Sequence, residues 1–405
     1  MFLTVRVCLV GATHPCHNPR LVREADTLAA LGHAVRVVTP YVGGDLAACD
    51  RRLLAGRRWE HCYAWPPEGP GTYWRRARRR GAAALFRVSR DRALAVESAL
   101  AGAGRLAATA AAERADWYIA HTQPALSAAV HAAERWDAAL GFDCEDLLAD
   151  DSNFGCAIGL IEQSYLPLCR YVSAPSRGIA STLHARGAGC EPVILRNVLP
   201  LALACGLRPP ARRPVDGTVR LHWVSQTIGP DRGLEDAFAA LALLPPNVEL
   251  HLRGQWARGY RNKAESLTQH LRVADRVHHY PVVDHDLHVL AAGCFDIGLA
   301  LERLEPINRA LTATNKLFAY VLAGLAVAAS ETPGQREALE ALPASVTYPP
   351  GDAAALAAAL QPWVEDAGAL QCAKQAAWDA ARESLNWDRE QTKLLDCLDA
   401  RSMVA

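Results

Sequence analysis

Short apolar runs alternating with helical patterns recur along this chain in two successive series, and that alternation leaves few folds open. Residues 4–10 are apolar and β-branched, and residues 11–17 break the run. Asn18-Pro19 then opens a segment whose apolar residues Leu21, Val22, Ala25, Leu28, Ala29 and Leu31 fall on one helical face. Asn is a good helix cap, Pro suits the first turn, and Gly32 stands where a left-handed residue closes a helix, just before a strand at 34–39. The first series continues with a helical stretch at 83–114, a strand at 117–120, a helix at 124–136 and a strand at 139–143, then strands at 171–174 and 192–195. Strands separated by helices predict a parallel sheet covered on both faces.

Residues 200–216 carry four prolines and little periodicity, so they read as a linker. Beyond them the alternation restarts, with strands expected at 219–225, 248–253, 277–280, 295–300, 325–330 and 345–348. At 405 residues the chain is also longer than one hydrophobic core usually supports. The expectation is an α/β protein of two Rossmann-like, doubly wound parallel-sheet domains: an N-terminal domain over 1–205, a linker over 206–217 and a C-terminal domain over 218–385. A terminal helical segment, 386–405, is expected to pack back on the N-terminal domain. Two such sheets predict a cleft lined by loops at the strand C-termini, where ligands bind.

Lys plus Arg and Asp plus Glu both number 43, so no global charge steers the chain toward nucleic acid. The 12 cysteines include no C-x-x-C pair, which argues against a cysteine zinc site or a disulfide framework and reads as small core residues in a reducing compartment. Residues 1–10 have Arg6 inside the apolar run and no small-residue cleavage site, so they read as a first strand rather than a signal peptide. No uninterrupted apolar run of about 18 residues is present. A cytoplasmic location is expected.

The strongest local feature is a strand at 296–300 followed by a loop with Glu302 and Glu305, then Thr314-Asn315-Lys316 opening a helix that ends near Gly324. A helix mouth offers free N–H groups and a positive dipole end, and a first-turn lysine adds a full charge, which suits a diphosphate. The chain has only Lys263, Lys316, Lys374 and Lys393, so this placement stands out, although a solvated first-turn lysine is the plainer reading. A second strand-loop-helix, Ser225 to Gly233, places Arg232 where a guanidinium could grip phosphate oxygens or simply sit on a turn. His121, and Asp143 with Glu145 and Asp146, follow two strand ends and suit acid-base work, hydroxyl binding or ordinary capping. His14, Cys16 and His17 crowd one loop, but three ligands so close rarely complete a metal site, and no metal is expected. The arginine-rich stretch from Arg75 to Arg92, interleaved with Leu85, Phe86 and Val88, reads either as a solvated face or as a peripheral contact with an anionic membrane.

These segments together resemble the retaining glycosyltransferases of family 4, whose GT-B architecture has two facing Rossmann-like domains. The resemblance rests on His17-Asn18-Pro19-Arg20 through Leu31-Gly32-His33-Ala34-Val35, on His121, on Phe142 to Asp146, and on Arg196-Asn197-Val198. It continues in Pro230-Asp231-Arg232-Gly233, which resembles an E-K-G loop, and in Asn315-Lys316-Leu317-Phe318-Ala319-Tyr320 with Ala323-Gly324-Leu325, which resembles N-K-L-F-E-Y…A-G-x-P. It implies a hexosyltransferase-like enzyme that moves a sugar, with retention and without metal, from a nucleotide diphosphate sugar to a glycan, lipid-linked or small-molecule acceptor. No cofactor is implied; the donor is a substrate, a UDP- or GDP-sugar.

By the same resemblance, His121, Arg232 and Lys316 are the catalytic candidates. The donor is expected to meet Ser225, Gln226, Thr227, Arg232, Glu302, Glu305, Thr314, Asn315, Lys316 and Leu317, and the acceptor side to draw on Gly11, His17, Asn18, Arg20 and Asp143. Two departures stand out. Thr227 occupies the place of an arginine that usually contacts phosphate, and Leu311 and Ala319 replace the two glutamates of an E-x7-E motif, the second of which holds the ribose. The ribose contact must then come from elsewhere, with Gln226, Glu302 and Glu305 as candidates. The alternatives are a catalytically inactive binding or regulatory partner of the same fold, or an epimerase acting on the free sugar nucleotide.

Overall fold

The structure, a computed structural model, describes residues 4–65, 71–151, 154–210 and 217–402. It divides into two compact units: residues 1–195 together with 393–405, and residues 196–392. Residues 387–392 of the terminal Trp387–Ser402 helix therefore group with the second unit and the rest of that helix with the first. Of the proline-rich stretch, residues 211–216 lie outside the described residues.

The first unit holds β1 (Arg6–Gly11), β2 (Ala34–Thr39), β3 (Glu60–Tyr63), β4 (Trp117–His121), β5 (Ala139–Asp143), β6 (Tyr171–Ala174) and β7 (Val193–Ile194). All pair in parallel, in the order β3-β2-β1-β4-β5-β6-β7. Val7 to Val10 of β1 and all of β4 are buried because helices cover both faces of the sheet, which is why these strands read as continuous apolar runs rather than alternating ones. The Pro19–Ala30 helix begins as expected: Asn18 caps it by accepting from the Leu21 N–H at 2.9 Å, and Gly32 follows it with a φ of +88°.

Two sequence expectations need correction here. β3 was not expected: its residues Glu-His-Cys-Tyr are polar and only partly buried, as suits an edge strand. The helical stretch at 83–114 is broken into the end of a Gly71–Ser89 helix, then Arg92–Ala99 and Ala103–Ala110. Asp91 caps the second piece by accepting from Leu94 N–H at 3.0 Å, and Gly102 enters the third with a φ of +85°. Such local caps outcompete a continuous helix.

The second unit holds β8 (Val219–Ile228), β9 (Val248–Trp256), β10 (Val277–Tyr280), β11 (Ile297–Ala300), β12 (Ala326–Ser330) and β13 (Val346–Tyr348), again all parallel, in the order β10-β9-β8-β11-β12-β13. β8 runs three residues past its expected end, with a register shift against β9 between Val224 and Thr227. Ser225, Gln226 and Thr227 are thus strand residues at a bulge rather than loop residues. Trp223, Phe238, Leu241, Leu250 and Leu299 fill the core of this sheet, each large side chain contributing about 1.5–3 kcal/mol by burial.

In each unit the strand order reverses beside the first strand: the sheet grows one way from β1 and the other way from β4, and likewise from β8 and β11. In doubly wound sheets ligands bind outside the strand C-termini at this switch point. Gly11 and His121 end β1 and β4 there. The loops from Gly229 to Gly233 and from Leu301 to Pro306 leave β8 and β11 there.

Candidate functional site

At the switch point of the second sheet, the Asn315–Ala323 helix starts after Thr314 and closes on Gly324, whose φ of +74° needs no Cβ relief. The Leu317 N–H is taken by Thr314 O at 3.0 Å. No described group accepts from the N–H of Asn315 or Lys316. The Thr314 hydroxyl does not cap its own helix, and its buried Oγ1 has no hydrogen-bond partner. Asn315 is exposed. This helix mouth therefore carries unused donors and the positive end of a helix dipole.

Lys316 lies beneath that mouth. It is buried, its Nζ is 2.8 Å from Glu302 Oε1 and 3.4 Å from Leu301 O, and it sits 5.0 Å above the Trp223 ring. Burial pushes its ammonium below the ordinary lysine value; Glu302 pulls it back up, and Arg232 and Arg309 add to the depression. Glu302 itself is held from below, its N–H donating to Ser330 Oγ at 2.7 Å while Gln335 Nε2 donates to that same Oγ at 2.8 Å. The next residue, Arg303, reaches Asp236 at 3.2 Å, and Asp236 also accepts from Tyr348 Oη and the Gly351 N–H. Gly233, with a φ of +71°, allows the loop after β8 to press on Leu301, where an added Cβ would come within 2.8 Å of the Leu301 Cβ.

Arg232 differs from its neighbours. It is half-buried, close enough for its charge to act on Lys316, and makes no hydrogen bond or ion pair with any described residue. Arg309 by contrast donates to Asp231 O. Lys316 and Glu302 pair with each other, and Leu317 is core, fully buried. Arg232, Thr314 and Asn315 offer the open polar groups, while Gln226, Thr227 and Glu305 are exposed and Ser225 is half-buried.

In the first unit the expected residues condense into an interior network. Arg20 binds Asp143 with two nitrogens, at 2.5 and 2.8 Å, and donates to Leu195 O at 2.7 Å. Ser173 Oγ donates to Asp143 as well. His121 lies between three carboxylates, with Nε2 3.3 Å from Glu24 and Nδ1 3.2 Å from Glu145 and 3.4 Å from Asp143. Asn18 donates to Glu145 at 2.6 Å. Burial disfavours a charged His121, but Glu24 above all, then Asp143 and Glu145, outweigh it and raise its pKa well above the ordinary value. Burial likewise raises Asp143, yet Arg20 and His121 hold it far below the usual carboxylate range.

His121, Arg20, Asn18 and Asp143 are thus enclosed, and Gly11 is buried against Leu21; of the acceptor-side candidates only His17 is exposed. Sequence reasoning missed Glu24, although a carboxylate one turn after Arg20 on the core face of an amphipathic helix was the available signal. It also missed Asp50. His14 Nε2 accepts from the Val42 N–H at 2.8 Å, so its Nδ1–H donates to Asp50 at 2.6 Å, and both ring nitrogens are engaged.

Among the described residues two trios of His and carboxylate side chains are spaced for a metal ion: Glu24, His121 and Asp143, and Glu249, His251 and His278. In the first, the Arg20 guanidinium already occupies Asp143, and two cations cannot share that carboxylate cheaply.

No family model matches the sequence, and no curated protein matches it. Solved structures do match along the whole chain. A sucrose-phosphate synthase from Thermosynechococcus elongatus is 15% identical, with a TM-score of 0.72 over 99% of this chain and 100% of that one. HepE of Anabaena, solved in complex with UDP, is 15% identical, with a TM-score of 0.69 over 98% of this chain and 100% of that one. WaaG, a glycosyltransferase involved in lipopolysaccharide biosynthesis, is 16% identical, with a TM-score of 0.63 over 97% and 98%. At this identity the likeness shows the fold: two Rossmann-like units in the GT-B class.

Proposed function

We propose that this chain is a retaining glycosyltransferase of the family 4 type, moving a hexose from a nucleotide diphosphate sugar to a glycan, lipid-linked or small-molecule acceptor. The single observation that carries the reading is Arg232, a half-buried guanidinium with no partner among the described residues, beside a helix mouth whose first N–H groups and Thr314 hydroxyl are also unused by them. A diphosphate would satisfy all of them at once, and these fixed positive groups would stabilise it as it leaves the sugar, the work a metal does in other transferases. Lys316 adds charge from beneath, with its position held by Glu302. The transfer step accordingly needs no metal.

The donor is a UDP- or GDP-sugar, with UDP favoured because HepE was solved with UDP and with UDP-glucose. With Glu302 committed to Lys316, Gln226 and Glu305 are the remaining candidates for the ribose. His121 acts as a positioning residue that orders Glu145 and Asp143. We further propose that the protein works in the cytoplasm and touches anionic membrane through the Gly71–Ser89 helix. No described helix is long and apolar enough to cross a membrane.

A second reading, an inactive binding partner of the same fold, is favoured by one specific observation: Ala319 is buried where a ribose-binding glutamate would project. Incubation with a panel of UDP- and GDP-sugars, read as nucleoside diphosphate release and as binding heat, separates the two. Release of nucleoside diphosphate with one donor supports the enzyme, and binding heat without release supports the inactive partner. Absence of both with every donor sinks the enzyme reading.

A further inference from the structure

β9 and the edge strand β10 pair in parallel with His278 opposite His251. Residues two apart on a strand share a face, so Glu249 stands beside both histidines. Glu249 Oε2 lies 3.2 Å from Nε2 of His251 and 3.6 Å from Nε2 of His278. The three ligand atoms all fall within 4.8 Å of one another. A tetrahedral zinc ion with bonds of about 2.0–2.2 Å holds its ligands roughly 3.3–3.6 Å apart, so these groups need only small adjustments to close on one.

The surroundings prepare them for it. His251 Nε2 hydrogen-bonds Glu249 at 3.2 Å and its Nδ1 lies 3.2 Å from Tyr280 Oη, so a metal taken at Nε2 would shift the ring proton to Nδ1, where Tyr280 Oη can accept it. The Nε2 of His278 is buried and has no hydrogen-bond partner. The two imidazoles are stacked with centroids 4.8 Å apart, an arrangement that repels if both are charged. Two arginines share this face: Arg220 of β8, opposite Glu249 and close enough for its charge to act on His251, and Arg253, which lies 5.2 Å over the Tyr280 ring and donates to Pro281 O. Glu249 and His278 are partly exposed, which leaves water free to supply a fourth ligand.

We propose that Glu249, His251 and His278 form a binding site for a divalent transition-metal ion, zinc fitting best, that fastens the four-residue edge strand β10 to β9. The site is structural. It lies on the N-terminal halves of its strands, whereas the candidate diphosphate groups follow the C-terminal ends of β8 and β11, so it is independent of the transfer reaction proposed above.

The test is a titration of metal-stripped protein with Co2+, read by visible absorption, and with Zn2+, read by calorimetry and thermal unfolding. Wild type is expected to bind one equivalent with tetrahedral cobalt bands and to gain thermal stability from zinc. His278→Gln and Glu249→Gln, both at partly exposed positions, are expected to weaken binding at least about tenfold, and Tyr280→Phe to weaken it about tenfold through the lost partner of His251. Their unfolding temperatures without metal should match wild type. Absence of stoichiometric binding, binding unchanged in His278→Gln, or intense thiolate-to-cobalt bands that assign the ion to cysteines would each overturn the proposal.

Discussion

Lys316 and Arg232 both carry positive charge toward one helix mouth, yet they should answer substitution in opposite ways. Lys316 is buried against Glu302, so Lys316→Met strands a carboxylate in the interior and should cost about 3–5 kcal/mol of stability, read from the urea midpoint. Adding Glu302→Gln removes the stranded charge and should restore most of that loss. Arg232 has no partner to strand among the described residues and is only half-buried. Arg232→Ala should therefore leave the midpoint within about 0.5 kcal/mol of wild type while weakening nucleoside diphosphate binding by tenfold or more, about 1.4 kcal/mol, as fits a lost charge-assisted contact. Equal losses of stability in the two single variants would contradict these assignments.

Among the described elements, the Gly71–Ser89 helix combines exposed apolar side chains with exposed arginines on its outer face. Its inner side is fixed: Ala82 and Phe86 are buried, Arg79 donates to Ser98 O at 3.0 Å, and Arg78 pairs with Glu97 at 2.6 Å. Its outer side exposes Tyr73, Trp74, Leu85 and Val88 together with Arg76, Arg80 and Arg87. Aromatic and aliphatic side chains among unpaired arginines suit an anionic lipid surface. Wild type should sediment with vesicles containing phosphatidylserine or phosphatidylglycerol and stay in solution with neutral ones. Leu85→Glu with Val88→Glu should abolish that binding without lowering nucleotide affinity. Binding that persists in this pair would remove the helix from the assignment.

Across the whole molecule, buried titratable groups set how stability depends on pH. Burial lowers His61 to about 4, His222 to about 3 and His251 to about 4, whereas unfolded histidine titrates near about 6.5. The unfolded chain thus binds more protons below about pH 6.5, and stability falls as pH drops from there toward 4, by about 1.4 kcal/mol per pH unit for the almost fully buried His222. His121 has the opposite sign. Its pKa is raised by its three carboxylates, so its contribution is complete below about pH 6.5 and is lost as pH rises. Burial also raises Cys8, to about 12, and raises Cys144, so alkali favours the unfolded chain above about pH 8.5. Urea midpoints measured from about pH 4 to 10 should peak near 6.5, and His121→Gln should flatten the fall between about 6.5 and 8.5. A midpoint that rises steadily through neutrality would contradict this.

Local regularities carried much of this fold into the sequence. The strand-helix alternation announced two parallel sheets, Asn18-Pro19 and Gly32 marked the ends of one helix, and Thr314 and Gly324 marked the ends of another, because backbone hydrogen bonding and caps depend on neighbours along the chain. β3 stayed hidden because a short polar edge strand has no periodic signal, and the bulge in β8 because it exists only against β9. At the candidate site, Lys316, Arg232 and the helix mouth were legible as chemistry. The pairing of Lys316 with Glu302, the enclosure of His121 by Glu24, Asp143 and Glu145, and the register that sets His278 beside His251 were not. Those were decided by tertiary structure, since whether a charge is matched, buried or free depends on side chains that folding brings together from distant parts of the chain.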